Sequence, residues 1–342
     1  MVTISLCMIV KNEEKILARC LDSICDLMDE IIIVDTGSTD KTKEIAAGYT
    51  QKIYDFTWTG SFADARNFSF SKAECEYIYT ADADEVLDEE NHEKFRTLKR
   101  RLLPEVEMVQ MYYGNQLSYG TVYNFDRELR PKLFKRLRTF QWIEPVHETI
   151  RLLPVVYDSD IEITHLPEEN HAGRDIEIFQ KMIDAGQKLS LRLMNLYARE
   201  VLIAGSGQEL VKAEEYFTQA AEDPQTGEEQ LKEAVCVIAR AARIRGDYLK
   251  MFRYAMKDIA SNEGGVSEVC YELGEYYLDE GEYQEAAIWY YNAAYETASI
   301  LNIHCSQELP RLGLCRCYEA MGFYEQAESY KKEAEELASF AG

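Results

Sequence analysis

Several familiar signatures are missing from these 342 residues: there is no GxGxxG, no GxxxxGK and no HExxH. Their absence removes the usual support for a dinucleotide site, a P-loop phosphate cradle and a zinc-protease helix. Nine cysteines are present, an odd number with no CxxC pair, and most sit inside apolar patterns. They read as reduced core thiols rather than a disulfide frame or a zinc ribbon. Apolar runs such as Ile31 to Val34 are short, against the roughly 20 residues a spanning helix needs. No basic n-region followed by an apolar stretch opens the chain, so a cytoplasmic location without a membrane segment is expected. Positive charge is scarce: 37 Lys and Arg face 61 Asp and Glu, a net charge of −24. Such a field repels phosphate backbones, and nucleic acid is excluded as the main partner. Only seven prolines and 46% hydrophobic residues mark a globular chain, long enough for two domains.

The first ninety residues alternate strand and helix signals. Ile4 to Val10 is an apolar run, and Asn12 is the expected N-cap of a helix carrying Ile16, Leu17, Cys20, Leu21 and Ile24. Glu30 to Val34 is a second β-branched run that stops at Asp35, and Thr36 to Asp40 provide turn and capping residues for a helix through about Gly48. A third strand, about Tyr77 to Ala81, ends in Asp82-Ala83-Asp84-Glu85. Strands separated by helices imply a parallel sheet, whose ligands bind at the carboxyl ends of the strands. Asp35, Asp82 and Asp84 all fall at such ends.

From about Arg174 the texture turns to Ala, Glu, Tyr and Leu, and it repeats. With Ala213, Met251, Ala286 and Ala327 as equivalent positions, the spacings are 38, 35 and 41 residues. Gly246, Gly281 and Gly322 stand five residues before the last three, and Tyr248, Tyr283 and Tyr324 three before; Ala220, Ala293 and Ala334 follow by seven. Small residues at helical spacing after a Gly–x–Tyr turn describe close-packed helix pairs of the tetratricopeptide kind, which hold peptides on a curved surface. The blander alternative is a helical bundle used for stability or for a homodimer. Asp258 to Pro310 holds eleven Asp and Glu and no Lys or Arg. That run reads as a solvated face or as a groove for a basic peptide.

Two carboxylates at a strand-to-loop bend, as in Asp82-x-Asp84, can approach one divalent ion, one directly and one through a hydroxyl or water. Taken with Leu6-Cys7-Met8-Ile9-Val10-Lys11-Asn12-Glu13-Glu14, Val34-Asp35-Thr36-Gly37-Ser38-Thr39-Asp40, Ala65-Arg66-Asn67 and Asp82-Ala83-Asp84-Glu85, the chain resembles the inverting glycosyltransferases of family 2, over about residues 1–170. Glu144-Pro145-Val146-His147-Glu148 and Thr164-His165 extend the likeness to the subgroup that carries helical repeats, which includes the sublancin S-glycosyltransferase. The resemblance implies an α/β GT-A catalytic domain at 1–172 and an all-α tetratricopeptide-like domain at 173–342.

It further implies that Asp35 hydrogen-bonds uracil, that Arg66 contacts the base or diphosphate, and that Asn12 and Glu13 line the nucleotide cleft. Asp82 would face the ribose and metal, Asp84 would ligate Mn²⁺ or Mg²⁺, and His147 would be a further metal or diphosphate contact. The leaving group is a nucleoside diphosphate, whose charge a cation must neutralise as the glycosidic bond breaks. Arg127, Arg130, Lys132, Lys135, Arg136 and Arg138 form the densest basic patch; Arg130 is the candidate second diphosphate contact, the others reading as a solvated strand face. Inverting transfer needs a base at the acceptor unless the acceptor is itself acidic; Glu148 is the candidate and Glu144 its substitute. His165 bridges the domains or touches substrate. The cluster of Tyr112, Tyr113, Tyr119 and Tyr123, near Gly114 and Gly120, is core or a stacking surface for sugar. The expected activity is metal-dependent transfer from a UDP-sugar to Ser, Thr or Cys of a peptide or protein. The alternatives are a glycan or lipid-linked acceptor, and a repeat scaffold with a vestigial nucleotide site.

Overall fold

A computed structural model describes residues 1–114, 127–150, 153–167, 172–260 and 265–340. Tyr119, Tyr123 and Gly120 of the aromatic cluster, and Glu263 of the acidic run, lie outside the described residues. The chain divides into two compact units, the first ending at Asn170 and the second resuming at His171.

In the first unit, β1 (Ile4–Val10), α1 (Leu17–Ile24), β2 (Glu30–Asp35), α2 (Thr42–Ala47), β3 (Ile53–Asp55), α3 (Phe62–Phe70) and β4 (Tyr77–Thr80) alternate as strands and helices. They are followed by β5 (Glu85–Val86), α4 (Glu89–Arg101), β6 (Met108–Gly114), β7 (Glu128–Lys135), β8 (Trp142–Ile143), β9 (Thr149–Ile150) and β10 (Val156–His165). Eight strands form one sheet in the order β3-β2-β1-β4-β7-β6-β10-β5, and β8 pairs with β9 separately. β3, β2, β1 and β4 run parallel, whereas β7 is antiparallel to both β4 and β6. β1 reads as an unbroken apolar run because Ile4, Leu6, Cys7 and Met8 are all buried, as in a strand covered on both faces. Helix α1 buries Leu17, Cys20, Leu21 and Ile24, the stripe its spacing predicts. This is the α/β GT-A architecture.

Asn12 is not the N-cap of α1: the helix begins at Leu17 after Ile16, with no side-chain cap. Asn12 instead takes φ +58°, a left-handed conformation that Asn tolerates. The bend sends its side chain sideways, where Oδ1 accepts from the Thr39 N–H at 2.8 Å.

Among the described residues the second unit is helical: α5 (Ala172–Asp184), α6 (Leu191–Ile203), α7 (Gly207–Glu222), α8 (Glu228–Arg245), α9 (Tyr248–Ile259), α10 (Ser267–Asp279), α11 (Tyr283–Tyr291), α12 (Glu308–Ala320) and α13 (Tyr324–Phe340). Gly246, Gly281 and Gly322 have φ of +77°, +78° and +83°. After each, a six-to-one bond closes the helix, from Asp247, Glu282 and Phe323 to Ala242, Tyr277 and Tyr318 at 2.9 Å. A residue with a Cβ resists that conformation, which explains the recurring glycine. The tyrosine two residues later opens the next helix, and Ala213, Met251, Ala286 and Ala327 are buried.

The acidic run is not a plain solvated face. Asp258, Glu268 and Glu272 are buried. Glu272 pairs with Arg240 and Arg243, and Glu268 accepts the N–H groups of Ile300, Leu301 and Asn302. Asp279, Glu280, Glu282 and Glu285 remain exposed around the α10–α11 turn.

Candidate active site at the strand ends

Asp35 ends β2, and Asp82 and Asp84 follow β4, so the two parallel strands that flank β1 carry these carboxylates to one rim of the sheet. Asp35 is 1% exposed. Its Oδ1 accepts from the N–H groups of Gly37 (3.0 Å) and Ser38 (2.9 Å), which fixes the turn; Oδ2 is buried with no hydrogen-bond partner among the described residues. Asn12 donates its own N–H to Ser38 Oγ at 2.9 Å and Glu13 donates to Thr42 Oγ1 at 2.7 Å. Both expected cleft residues thus buckle the β1 loop onto the β2 loop.

Arg66 reaches the site from α3. The Ser61 side chain caps that helix by accepting from the Asp64 N–H, and buried Ala63 and Ala65 let it lie close to the sheet. Asn67, next in the chain, exchanges two hydrogen bonds with the Trp142 main chain at 2.9 and 2.8 Å. The Arg66 guanidinium donates to Glu148 through Nε, to Thr80 Oγ1 at 2.8 Å through Nη1, and to Asp82 at 3.1 Å through Nη2. It also lies over the Trp142 ring, 5.2 Å from the centroid. Desolvation alone would raise the Asp82 carboxyl; Arg66 above all, with Lys132 and Arg130, outweighs it and brings the group down to about 2. Asp82 is therefore ionised at neutral pH.

Asp84 meets an imidazole, that of His165: Oδ2 lies 3.1 Å from Nε2. Asp84 Oδ1 is buried with no hydrogen-bond partner among the described residues. His165 is held in place because β10 pairs it with Glu85 of β5, and its ring lies 5.1 Å from that of Tyr113. Arg130 stacks on the same Tyr113, 3.9 Å from the centroid, and donates to Glu128. Lys132, read from the sequence as part of a solvated face, is 5% exposed and grips Glu85, which is 3% exposed. The difference arises because β7 is an inner strand of the sheet, between β4 and β6. Burial, with Asp82 and Asp84 adding to it, pushes Glu85 up to about 7 despite Lys132.

Asp82, Arg66 and Glu148 thus converge, as do Asp84, His165 and the Arg130–Tyr113 stack. Glu144 and His147 lie in the turn between β8 and β9 with left-handed backbones, φ +70° and +47°. The pairing of His165 with Asp84 and the role of Lys132 were missed in the sequence. Arg130 and Lys132 stand two apart on one strand, the spacing that puts side chains on one face, and this was the available signal.

Residues 5–153 match the family model described as Glycosyl transferase family 2. A TPR repeat-containing protein of Synechococcus elongatus is 44% identical over 87 residues, 25% of this chain and 22% of that one. The SPbeta prophage-derived glycosyltransferase SunS of Bacillus subtilis is 37% identical over 103 residues, 29% of this chain and 24% of SunS. The chain spans less than half the length of the first curated relatives it matches. Among solved structures, glucosyl-3-phosphoglycerate synthase from Mycobacterium tuberculosis with Mn²⁺ and UDP-glucose aligns with a TM-score of 0.41 and 14% identity, over 55% of this chain and 81% of that one. Among the described residues no helix is long and apolar enough to cross a membrane. With Asp35, Arg66, Asp82 and Asp84 all inside the matched span, residues 5–153 of this chain are a glycosyl transferase family 2 domain.

Proposed function

We propose that this chain transfers a sugar from a UDP-sugar to a side chain of a peptide or protein, with inversion at the anomeric carbon and with Mn²⁺ or Mg²⁺. The observation that carries the reading is the pair of buried carboxylate oxygens, Asp35 Oδ2 and Asp84 Oδ1, left without hydrogen-bond partners among the described residues at one sheet rim. A buried acceptor of this kind calls for a ligand group. Asp35 Oδ2 suits the N–H of a uracil ring, and Asp84 suits a hard cation, with the imidazole of His165 as second ligand and Asp82 beside them. A bound divalent cation would neutralise the diphosphate as it departs.

Arg66 keeps Asp82 ionised and turned toward the donor, while its Nε holds Glu148 on the acceptor side. Glu148 is the proposed base, with Glu144 as the substitute; Arg130 is the proposed second diphosphate contact and His147 a further metal or diphosphate contact. The helical unit is the proposed acceptor-holding surface, on which the half-exposed Tyr248, Tyr283 and Tyr291 and the more open Tyr324 offer rings to an extended peptide. The cytoplasm is the proposed location. The test is full-length protein incubated with Mn²⁺, a panel of UDP-sugars and a host lysate, followed by mass spectrometry. A hexose or N-acetylhexosamine mass added to a peptide side chain supports the reading. Sugar found only on glycan or lipid would remove the peptide acceptor, and no turnover of any UDP-sugar would remove the transferase.

A further inference from the structure

Three carboxylates, Asp82, Asp84 and Glu85, fall within four residues. Packed against a sheet, such a turn is stable only with cations built against it. Two are present. Arg66 donates to Asp82, and Lys132 Nζ donates to both oxygens of Glu85 at 2.8 and 2.7 Å. Asp84 has no Lys or Arg partner among the described residues, only His165 on Oδ2. Asp84 is therefore the one carboxylate of the turn with no Lys or Arg of its own among the described residues.

Glu85 also carries the geometry of the turn. Its N–H donates to the Asp82 carbonyl at 3.2 Å, and the Leu166 N–H donates to the Asp84 carbonyl at 2.8 Å. Its main chain pairs with His165 across the β5–β10 ladder. Lys132 comes from β7, its ammonium 5.9 Å from the ring centroids of Tyr79 and Tyr113, and Tyr113 is the ring that His165 and Arg130 also meet.

We infer that Glu85 and Lys132 are positioning residues: a buried, mutually neutralising pair that leaves Asp84 as the anionic pole and thereby sets the affinity of the Asp84–His165 site for a divalent cation. The inference rests on the nucleotide and metal reading above. Removing the Glu85 charge leaves the Lys132 ammonium facing that site, and one uncompensated unit charge close to a divalent ion shifts its affinity by about tenfold.

The test is a titration of Mn²⁺ into the full chain at about pH 8, above the value near 7 to which burial pushes Glu85, with UDP present, read by the electron paramagnetic resonance signal of free Mn²⁺ beside thermal melting. Glu85→Gln weakens Mn²⁺ binding about tenfold, and the double variant Glu85→Gln/Lys132→Met returns it to within about threefold of the parent. A pair that serves stability alone lowers the melting temperature of Glu85→Gln with Mn²⁺ affinity unchanged, and that result overturns the inference. Should Glu85→Gln not fold, the double variant decides: parental affinity supports the inference, and a loss of tenfold or more contradicts it. An unaltered chain that binds no Mn²⁺ with UDP shows a different failure, that of the metal site itself, and the inference falls with it.

Discussion

Arg66 donates through Nε to Glu148, 82 positions later in the chain. The same guanidinium donates to Thr80 and Asp82, so one cation joins helix α3, the end of β4 and the loop leading into β9. Lysine keeps the charge but has neither the fork nor the planar face that meets Trp142. Arg66→Lys is expected to lower UDP-sugar turnover by at least about a hundredfold, with a folded chain by circular dichroism. Turnover within threefold of the parent would show that the fork does not matter.

Asp35 uses its two oxygens differently, one to hold its own turn and one left open. Asp35→Asn keeps an acceptor for the turn and places an amide where the open oxygen was. UDP affinity measured by calorimetry should fall about tenfold or more, because two donors then face each other. An unchanged affinity would remove Asp35 from the base-binding role.

In the helical unit, a Cβ built on Gly274 would lie 2.7 Å from the Tyr290 ring, and one on Gly313 would lie 2.6 Å from it. Tyr290 has no room to retreat: it is fully buried, and its hydroxyl donates to Glu275 at 2.5 Å and accepts from Arg316 at 3.3 Å. Gly274→Ala and Gly313→Ala should each cost about 1–3 kcal/mol by overpacking, read by denaturant unfolding. Neutral effects from both would mean that the ring shifts freely.

Burial acts to raise the Glu272 carboxyl, but Arg240 and Arg243 outweigh it and hold it below its ordinary value of 4.5. A carboxyl depressed on folding adds stability above its unfolded pKa and loses it as pH falls through the folded value. Thermal melting should therefore drop on acidification below about 4.5 more steeply in the parent than in Glu272→Gln. At neutral pH that variant should already be weaker by about 3–5 kcal/mol, since two guanidinium groups lose their buried partner. Parallel melting curves across that range would contradict the assignment.

The strand ends were legible because Asp35 and Asp82 each terminate an apolar run, and a parallel sheet delivers such ends to one rim. Long-range partnerships were not. His165 reaches Asp84 across 81 positions, and no local pattern announces which of several histidines will do so. Lys132 looked solvated because a basic stretch usually is, yet an inner strand has no solvated edge and its lysine had to find Glu85. The acidic run misled for a related reason: counting charges in a window leaves out cations beyond it, and Glu272 finds Arg240 and Arg243 32 and 29 positions earlier. The glycine repeat was readable as a turn because the left-handed helix end constrains residue type directly.

Calorimetric titration of UDP into the full-length chain, with and without Mn²⁺, addresses the donor site without any acceptor. Binding that requires Mn²⁺ and disappears in Asp84→Ala, in a variant that melts like the parent, is the predicted result. UDP binding that is absent at millimolar concentration with Mn²⁺ present, or equally strong in Asp84→Ala, would contradict a nucleotide-sugar site at this rim.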